Sequence, residues 1–383
     1  MARDRRSVLF LPAWCEANPY QPLLAKALAD EGYGVDFADY PKARLPLFRL
    51  LCSRRDAGVL HIHWIAPWIR PLLWSANPLK RLIKLLLLIL DLRLCRLLGV
   101  PVYWTIHNLV SHESADPRWE LRLRRQIARL VDGCFVHSQS ALALLEREYG
   151  VTLAGKTRVV PHASYVGQYP AAPPDAVTTM RHDLGLEASD FVYLFVGAIR
   201  RYKGVEELVE AFRTLPDDDA RLVIAGAAFT PDIEDWLRAA SAEDPRIVLR
   251  IGYVPDEDLP SYLSLASVVV LPYARTLASG SALLAMSFAK PLILPEAARV
   301  FDVPGDDGAL YFEPGQLPEA LRRARRADLV RMAAANRAEA EARTWPAMAA
   351  ITASAYGTPD VSAKTGQPGF GHPGGPRPQS GRV

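Results

Sequence analysis

Short, nearly continuous apolar runs alternate with helix-like stretches along most of the chain, and this alternation restricts the fold more than any other feature of the sequence. The runs SVLFLP, GVDFADY, GVLHIHW, VPVYWTIH, GCFVHS and TRVVPHA lie between residues 7 and 163, each ending in turn-forming or polar residues. Several lack the polar alternation of a strand with one wet face, so they fit strands covered by helices on both sides. Stretches such as YQPLLAKALADEG and WELRLRRQIARLV separate them, and strands alternating with helices predict a doubly wound parallel α/β sheet. The Pro- and Ala-rich segment 169–186 breaks the series, and FVYLFVG, ARLVIAG, IVLRIG, SVVVLPY, PLILPE and ALYFEPG then repeat it. The expected organisation is an N-terminal domain over 1–168, a linker over 169–186 and a second, similar domain over 187–355. Substrates are expected between their carboxyl-end loops. The Ala/Arg/Glu-rich segment 317–343 predicts a helix. Residues 356–383, rich in Gly, Pro and Ser with few apolar anchors, predict a disordered tail.

Charge is divided unevenly. Residues 1–160 carry a net +9 and the remainder a net −6, within a total of +3. A basic half suggests that the first domain faces an anionic surface, such as phospholipid headgroups or a phosphate-bearing acceptor. In residues 77–98, NPLKRLIKLLLLILDLRLCRLL, the charged side chains Lys80, Arg81, Lys84 and Asp91 fall on one narrow helical stripe among leucines. The longest uninterrupted apolar run there is six residues, far short of the roughly 20 needed to cross a bilayer. Such a helix can lie in the headgroup plane or pack inside the domain. The four widely spaced cysteines indicate neither a disulfide framework nor a zinc ribbon, and a reducing cytoplasm, on the inner face of the membrane, is the expected location.

The first strand–helix turn, PAWCEANPYQPLL, has no glycine, no P-loop occurs, and ASGSA lacks the flanking glycines of a nucleophile elbow. Dehydrogenase, P-loop and serine hydrolase chemistry are therefore disfavoured. FVGAIRRYKGVEELVEAF, by contrast, reads as a strand, a basic turn and an amphipathic helix. Gly197 ends the strand, Arg200, Arg201 and Lys203 crowd the turn, and Gly204 opens the helix. Cations converging with a helix N-terminus suit a diphosphate.

This turn, with RLVIAG, IGYVPDEDLPSYLSLASVVVLPY and SGSALLAMSFAKPLI, resembles the donor domain of GT-B glycosyltransferases of the group 1, family 4-like type. VLHIHW, VYWTIHNLVSHE, VHSQSALALLEREYG and VVPHASYVGQYP are similar to members acting in bacterial exopolysaccharide and lipid-linked oligosaccharide assembly, including xanthan-type mannosyltransferases. The resemblance spans about residues 7–355 and implies two Rossmann-like domains facing a central cleft. It implies Lys203 on the donor diphosphate, with Gly197 and Tyr273 beside it and either Arg200 or Arg201 in the role of the family's arginine. The arginine usual after the glycine is Ala198 here. Two glutamates common in the family are replaced by Thr276 and Leu284, leaving Ser279, Gly280 and Ser281 at a helix start, where open amides can cradle phosphate.

On the first domain, His107 and Asn108 end a strand over the cleft, with His112 and Glu113 close behind. Glu113 is the preferred general base, with His107 second. Asn18, Tyr20, His63, Trp64, Asn108, His112 and His162 are the expected acceptor contacts. His61 and His63 share one strand face, yet no Cys or carboxylate cluster accompanies them, so no metal site is expected. The basic helix bearing Arg118, Arg122, Arg124, Arg125 and Arg129 lacks a nucleic-acid signature, and a lipid-diphosphate or membrane role suits it better. The expected activity is transfer of a hexose from a nucleotide-diphosphate sugar, GDP-mannose or a UDP-sugar, to a lipid-linked or polysaccharide acceptor. No cofactor beyond the donor is implied, and the departures from the family lean the stereochemistry towards inversion. The rival reading is a non-catalytic GT-B-like subunit of a polysaccharide assembly complex, and a third is a nucleotide-sugar epimerase of the same fold.

Overall fold

A computed structural model describes residues 3–15, 18–73, 77–111, 114, 116–273 and 276–357. The first six strands are β1 (Asp4–Leu11), β2 (Gly34–Phe37), β3 (Ala57–Ile62), β4 (Val102–Thr105), β5 (Gly133–Val136) and β6 (Thr157–Val159). Helices α1 (Tyr20–Asp30), α2 (Pro46–Ser53), α3 (Ala66–Leu73), α4 (Pro78–Leu97), α5 (Pro117–Leu130) and α6 (Gln139–Tyr149) connect them. After α7 (Pro174–Asp183), the second series comprises β7 (Phe191–Val196), β8 (Ala220–Gly226), β9 (Ile247–Ile251), β10 (Val268–Val270), β11 (Leu292–Pro295) and β12 (Ala309–Phe312). Its helices are α8 (Val205–Arg213), α9 (Pro231–Glu243), α10 (Leu259–Leu265), α11 (Gly280–Ser287), α12 (Leu317–Ala324), α13 (Leu329–Ala342) and α14 (Trp345–Tyr356).

All twelve expected strands form, in two six-stranded sheets ordered β2-β1-β3-β4-β5-β6 and β12-β11-β10-β7-β8-β9, and the strand pairs are parallel. Both faces of the central strands, such as β3, β4, β5, β10 and β11, are covered, which explains their unbroken apolar character. In β1, Leu9 and Leu11 enter a core with Trp104 and Ile127. Val8 and Phe10 face a second cluster, which continues into the second unit through Tyr165, Met286 and Trp345. Chain order reverses between β1 and β3 in one sheet and between β7 and β10 in the other. Loops diverge at such points and leave a crevice beyond the carboxyl ends of the strands.

Three expectations about organisation change. The 169–186 linker contains α7, and the single helix expected over 317–343 is two, α12 and α13. The 187–355 segment also does not stay in one unit, because α14 packs on α1 and β6. The Tyr33 and Tyr103 hydroxyls donate to the carbonyls of Ala353 and Ala355 at 3.2 and 2.7 Å. Tyr356, assigned to the tail, is buried, and its hydroxyl lies 2.5 Å from His61 Nδ1. The remainder of the expected tail, 358–383, lies outside the described residues.

Helix α4 also departs from the expected arrangement. Asp91, placed on the charged stripe, is fully buried and accepts from the Leu47 and Phe48 amides at 3.0 and 2.8 Å, capping α2. Burial pushes its carboxyl up to about 6. The face left open instead carries Leu79, Leu82, Ile83, Leu86 and Leu90, each 43–64% exposed. Among the described residues, no helix is long and apolar enough to cross a membrane.

Candidate active site

The two reversal points face each other across a cleft of about 500 Å³. On the second unit, β7 delivers the chain to Gly197, whose φ of +124° is one that L side chains rarely adopt. A Cβ there would merely touch Lys203 Nζ, at 3.7 Å, so the backbone conformation rather than lack of space calls for glycine. Gly204 sits at φ +70°, and a Cβ would meet the Pro272 carbonyl at 3.0 Å, so its absence lets α8 start against the end of β10.

Lys203 lines the cleft with its ammonium 5.6 Å from the centre of the Tyr273 ring, within cation–π range. Among the described residues no carboxylate pairs with it. Burial, reinforced by Arg200, pushes the ammonium down to about 8. Arg200 also lines the cleft, its guanidinium 4.0 Å over the Phe229 ring. Arg201 does not. Its guanidinium pairs with Glu206 at 2.8 Å and with Asp232, on the start of α9. These partners satisfy it away from the cleft, so the expectation that it meets the donor is replaced by a surface role.

The α11 start is joined to Lys203 through Tyr273, whose ring supports the ammonium and whose hydroxyl lies 2.7 Å from Ser279 Oγ. Ser279 is buried, and its hydroxyl caps α11 by accepting from the Ala282 amide at 3.1 Å. The side chains of Ser279 and Tyr273 are thus committed internally rather than offered to a ligand. The Gly280 and Ser281 amides, at the first turn of α11, have no acceptor among the described residues. Thr276, in place of a glutamate, donates to the Ala278 carbonyl, and Leu284 packs against the core.

The opposite wall consists of rings. Trp64 stacks on His107 at 4.9 Å and 14°, and Trp14, 44% exposed, adjoins Trp64 at 5.2 Å. Trp14 was not anticipated, because nothing local in PAWCEANPY marks it; β1 and β3 must pair before Trp14 and Trp64 meet. Among the described residues His107 Nε2 is buried with no hydrogen-bond partner, and His63 finds none at either ring nitrogen. Burial, with neighbouring His137 and His63, holds the His107 imidazole well below its usual range, and His63 likewise, through burial and the charges of His61 and His137. Both rings are neutral near pH 7. Asn18 and Asn108 also line the cleft, Asn18 Oδ1 accepting from the Tyr20 amide at 3.0 Å.

Two expected acceptor contacts lie deeper. Tyr20 is 2% exposed and meets the rings of His63, His107, His137 and His162 edge-on, so it is the hub of a buried aromatic cluster rather than a ligand contact. His162 is buried behind this layer, with Nδ1 2.7 Å from the Ala163 carbonyl. His61 is satisfied on both sides, by Tyr356 and by Thr105 Oγ1 at 2.7 Å. Among the described residues no three His, Cys, Asp or Glu side chains come together as a metal ion would require. His112 and Glu113 lie outside the described residues.

The loop carrying His107 and Asn108 is anchored by a buried ion pair. Glu120 Oε1 accepts from Arg124 Nε at 2.7 Å and from the Ser111 amide and hydroxyl at 2.8 and 2.7 Å, while Arg124 donates to the Asn108 carbonyl at 3.0 Å. Burial would raise the Glu120 carboxyl, but Arg124 and the serine hydroxyls outweigh it and hold it below the usual range. Arg124 therefore holds up the cleft wall, and Arg125 donates to the Gly150 carbonyl at 3.1 Å, so neither fits the expected lipid-facing role. The N-cap of α5 is Asp116, which accepts from the Trp119 amide at 3.0 Å.

Comparison with known families agrees with this geometry. A family model described as glycosyl transferases group 1 matches residues 190–329, and one described as glycosyltransferase family 4 matches 23–163. A GDP-mannose:glycolipid 4-beta-D-mannosyltransferase of Xanthomonas campestris pv. campestris is 31% identical over 84% of this chain and 83% of its own. This chain belongs to the group 1 and family 4 glycosyltransferases. The D-rhamnosyltransferase WbpZ of Pseudomonas aeruginosa is 33% identical to this glycosyltransferase over 57% of each chain. HepE of Anabaena, solved in complex with UDP, shares the GT-B fold at a TM-score of 0.68 and 15% identity, over 91% of this chain and 98% of its own. The enzyme is thus a transferase of GT-B architecture, and the non-catalytic and epimerase readings fall away.

Proposed function

We propose that this glycosyltransferase moves a mannosyl residue from GDP-mannose to a hydroxyl of a lipid-linked glycan, with inversion, at the cytoplasmic surface of a bacterial membrane. The observation that carries the donor side is Lys203, a partly dehydrated ammonium held in the cleft on Tyr273 with no carboxylate partner among the described residues, facing a wall of neutral rings. A diphosphate restores the missing counter-charge, and the Arg200 guanidinium and α11 amides extend the same field. The named activity of the Xanthomonas relative supports the choice of mannose and of a glycolipid acceptor.

In this scheme the acceptor sugar lies against Trp64 and Trp14, whose flat apolar faces suit a pyranose ring. The acceptor oxygen attacks the anomeric carbon as the bond from that carbon to the diphosphate oxygen breaks. The acceptor proton passes to a base, and the negative charge gathers on the departing GDP. His107 is the described side chain suited to receive the proton, being neutral, at the cleft and without a partner at Nε2 among the described residues; Glu113, six residues further on, is the alternative. The test is release of nucleoside diphosphate and glycosylated product from a panel of GDP-, UDP-, ADP- and dTDP-sugars, with and without a bacterial lipid extract. GDP-mannose turnover that requires the extract and persists in EDTA is the expected result. Turnover with UDP-sugars alone, or a strict divalent requirement, would replace this donor and mechanism.

A further inference from the structure

Beside the cleft, separated from it by one layer of side chains, lies a larger groove of about 1070 Å³ between α2, α3 and α4. Trp64 to Ala66 line the cleft, while Pro67, Trp68 and Pro71 line the groove. Tyr40 joins the two, stacked parallel to Trp68 at 6.3 Å while its hydroxyl donates to the Trp64 carbonyl at 3.0 Å.

The groove has an apolar floor, of Trp68, Ile83, Leu87 and Leu88, and a cationic rim. Lys42, Arg44, Arg49, Lys80 and Lys84 all line it against a single carboxylate, Asp91, whose two oxygens are used by the backbone amides of α2. Lys84 donates to the Pro71 carbonyl at 2.6 Å. Among the described residues the other four cations meet no carboxylate. At the outer edge, the groove opens onto the exposed leucine face of α4, from Leu79 to Leu90. Five cations around an apolar trough exclude a neutral hydrocarbon and an ordinary soluble anion as the best-fitting occupants. An amphiphile combining both characters satisfies rim and floor together.

We propose that this groove seats the lipid end of the acceptor. A long-chain lipid phosphate or diphosphate places its anionic head among Lys80, Lys84, Arg44 and Arg49 and the first part of its chain against Trp68, Leu87 and Leu88. The leucine face of α4 leads the rest of the chain into the bilayer. The glycan attached to the head then passes over Tyr40 and Trp64 into the cleft. The direction of this path rests on the transferase reading above, but the seat itself does not.

The test uses the full chain carrying Lys80→Glu and Arg49→Glu together. Equilibrium binding of a radiolabelled long-chain lipid phosphate in neutral detergent is measured first, because it requires no transfer. Wild type is expected to bind saturably and the variant roughly tenfold or more weakly; equal binding overturns the proposal. Transfer is then compared between a glycan on a lipid diphosphate and the same glycan on a methyl group. The variant is expected to raise KM only for the former and to leave the methyl glycoside and the donor KM unchanged. A variant that loses flotation with phosphatidylglycerol vesicles but keeps its KM for the lipid acceptor in detergent shows membrane docking alone and overturns the lipid seat. Absence of transfer by wild type with any donor removes the proposed activity, while the binding result still decides the groove. If the charge-reversed chain does not fold, Lys80→Ala with Arg49→Ala is expected to weaken binding in the same direction by a smaller factor.

Discussion

The first unit meets the cleft with neutral rings, the second with cations, though the two are built on similar sheets. At the β1/β3 reversal, buried imidazoles packed with two tryptophans keep ring nitrogens that have no partner among the described residues. At the β7/β10 reversal, a lysine and an arginine rest on aromatic faces. In the transfer proposed above, the two walls would divide the work: the ring wall would take a proton and stack on a sugar, and the cationic wall would meet the leaving group. The start of α11 carries no carboxylate: Thr276 donates to the Ala278 carbonyl, Leu284 packs against the core, and Tyr273 and Ser279 share an internal hydrogen bond.

The sharpest way to break this division is to remove the base and the charge separately. His107→Ala is expected to lower kcat by about 10²–10⁴, the range for a lost general base, with the donor KM nearly unchanged. An unaltered kcat would pass the role to Glu113, which Glu113→Gln then tests. Lys203→Ala is expected to cost roughly 2–4 kcal/mol in kcat/KM for the donor, about 30- to 1000-fold, with tighter loss for GDP-mannose than for the acceptor. Near-normal turnover would remove the cationic wall from the mechanism. A pH series sharpens the same point. Lys203 loses its proton as pH rises through about 8, so the donor KM of the wild type is expected to climb above that pH, and Lys203→Arg is expected to abolish the climb.

The ring wall predicts an acid limb in stability. His137 and His162 are buried, with burial pressing their imidazoles down to about 4 and about 3. Because the unfolded chain binds protons near 6.5 and the folded one does not, this stabilisation is complete above about 6.5 and is lost as pH falls towards 4 and then 3. On the order of 3 kcal/mol from His137 alone is at stake, and urea midpoints between pH 7 and 4 measure it; a flat profile would mean that these rings charge freely in the fold. The smallest effect is expected from Arg201→Ala, whose partners are surface carboxylates: donor kinetics should stay within about twofold of wild type. A large loss there would show that Arg201 leaves Asp232 to meet the donor.

Most of the twelve strands were legible because they are covered on both faces and read as continuous apolar runs, whereas β2 and β9, which keep exposed positions at Asp36 and at Arg250, were legible from their place in the alternation. Gly197 and Lys203 were legible for a related reason: a strand, a short basic turn and a helix fix their positions locally. What escaped depends on contacts distant in sequence. Arg201 is diverted by Asp232, thirty-one positions away. Trp14 joins the cleft only through the pairing of β1 with β3. The charged residues of α4 do share a stripe, but periodicity cannot say which face is inside, and Asp91 is held inside by the amides of α2. Tyr20 looked like a cleft residue because it follows a first-turn asparagine, yet its ring turns inward to four histidines. Helix α14 is apolar nearly all round, so its composition does not reveal which unit it covers.

The return of α14 to the first sheet means that the polypeptide passes between the units twice, once leading into α7 and once just before Trp345. A single crossing would let one half swivel freely about a tether, whereas two behave like a pair of pins on a door and select one axis of swing. Opening for product release and shutting on the next donor should then retrace the same arc, bringing the lysine back to the same imidazole on every cycle.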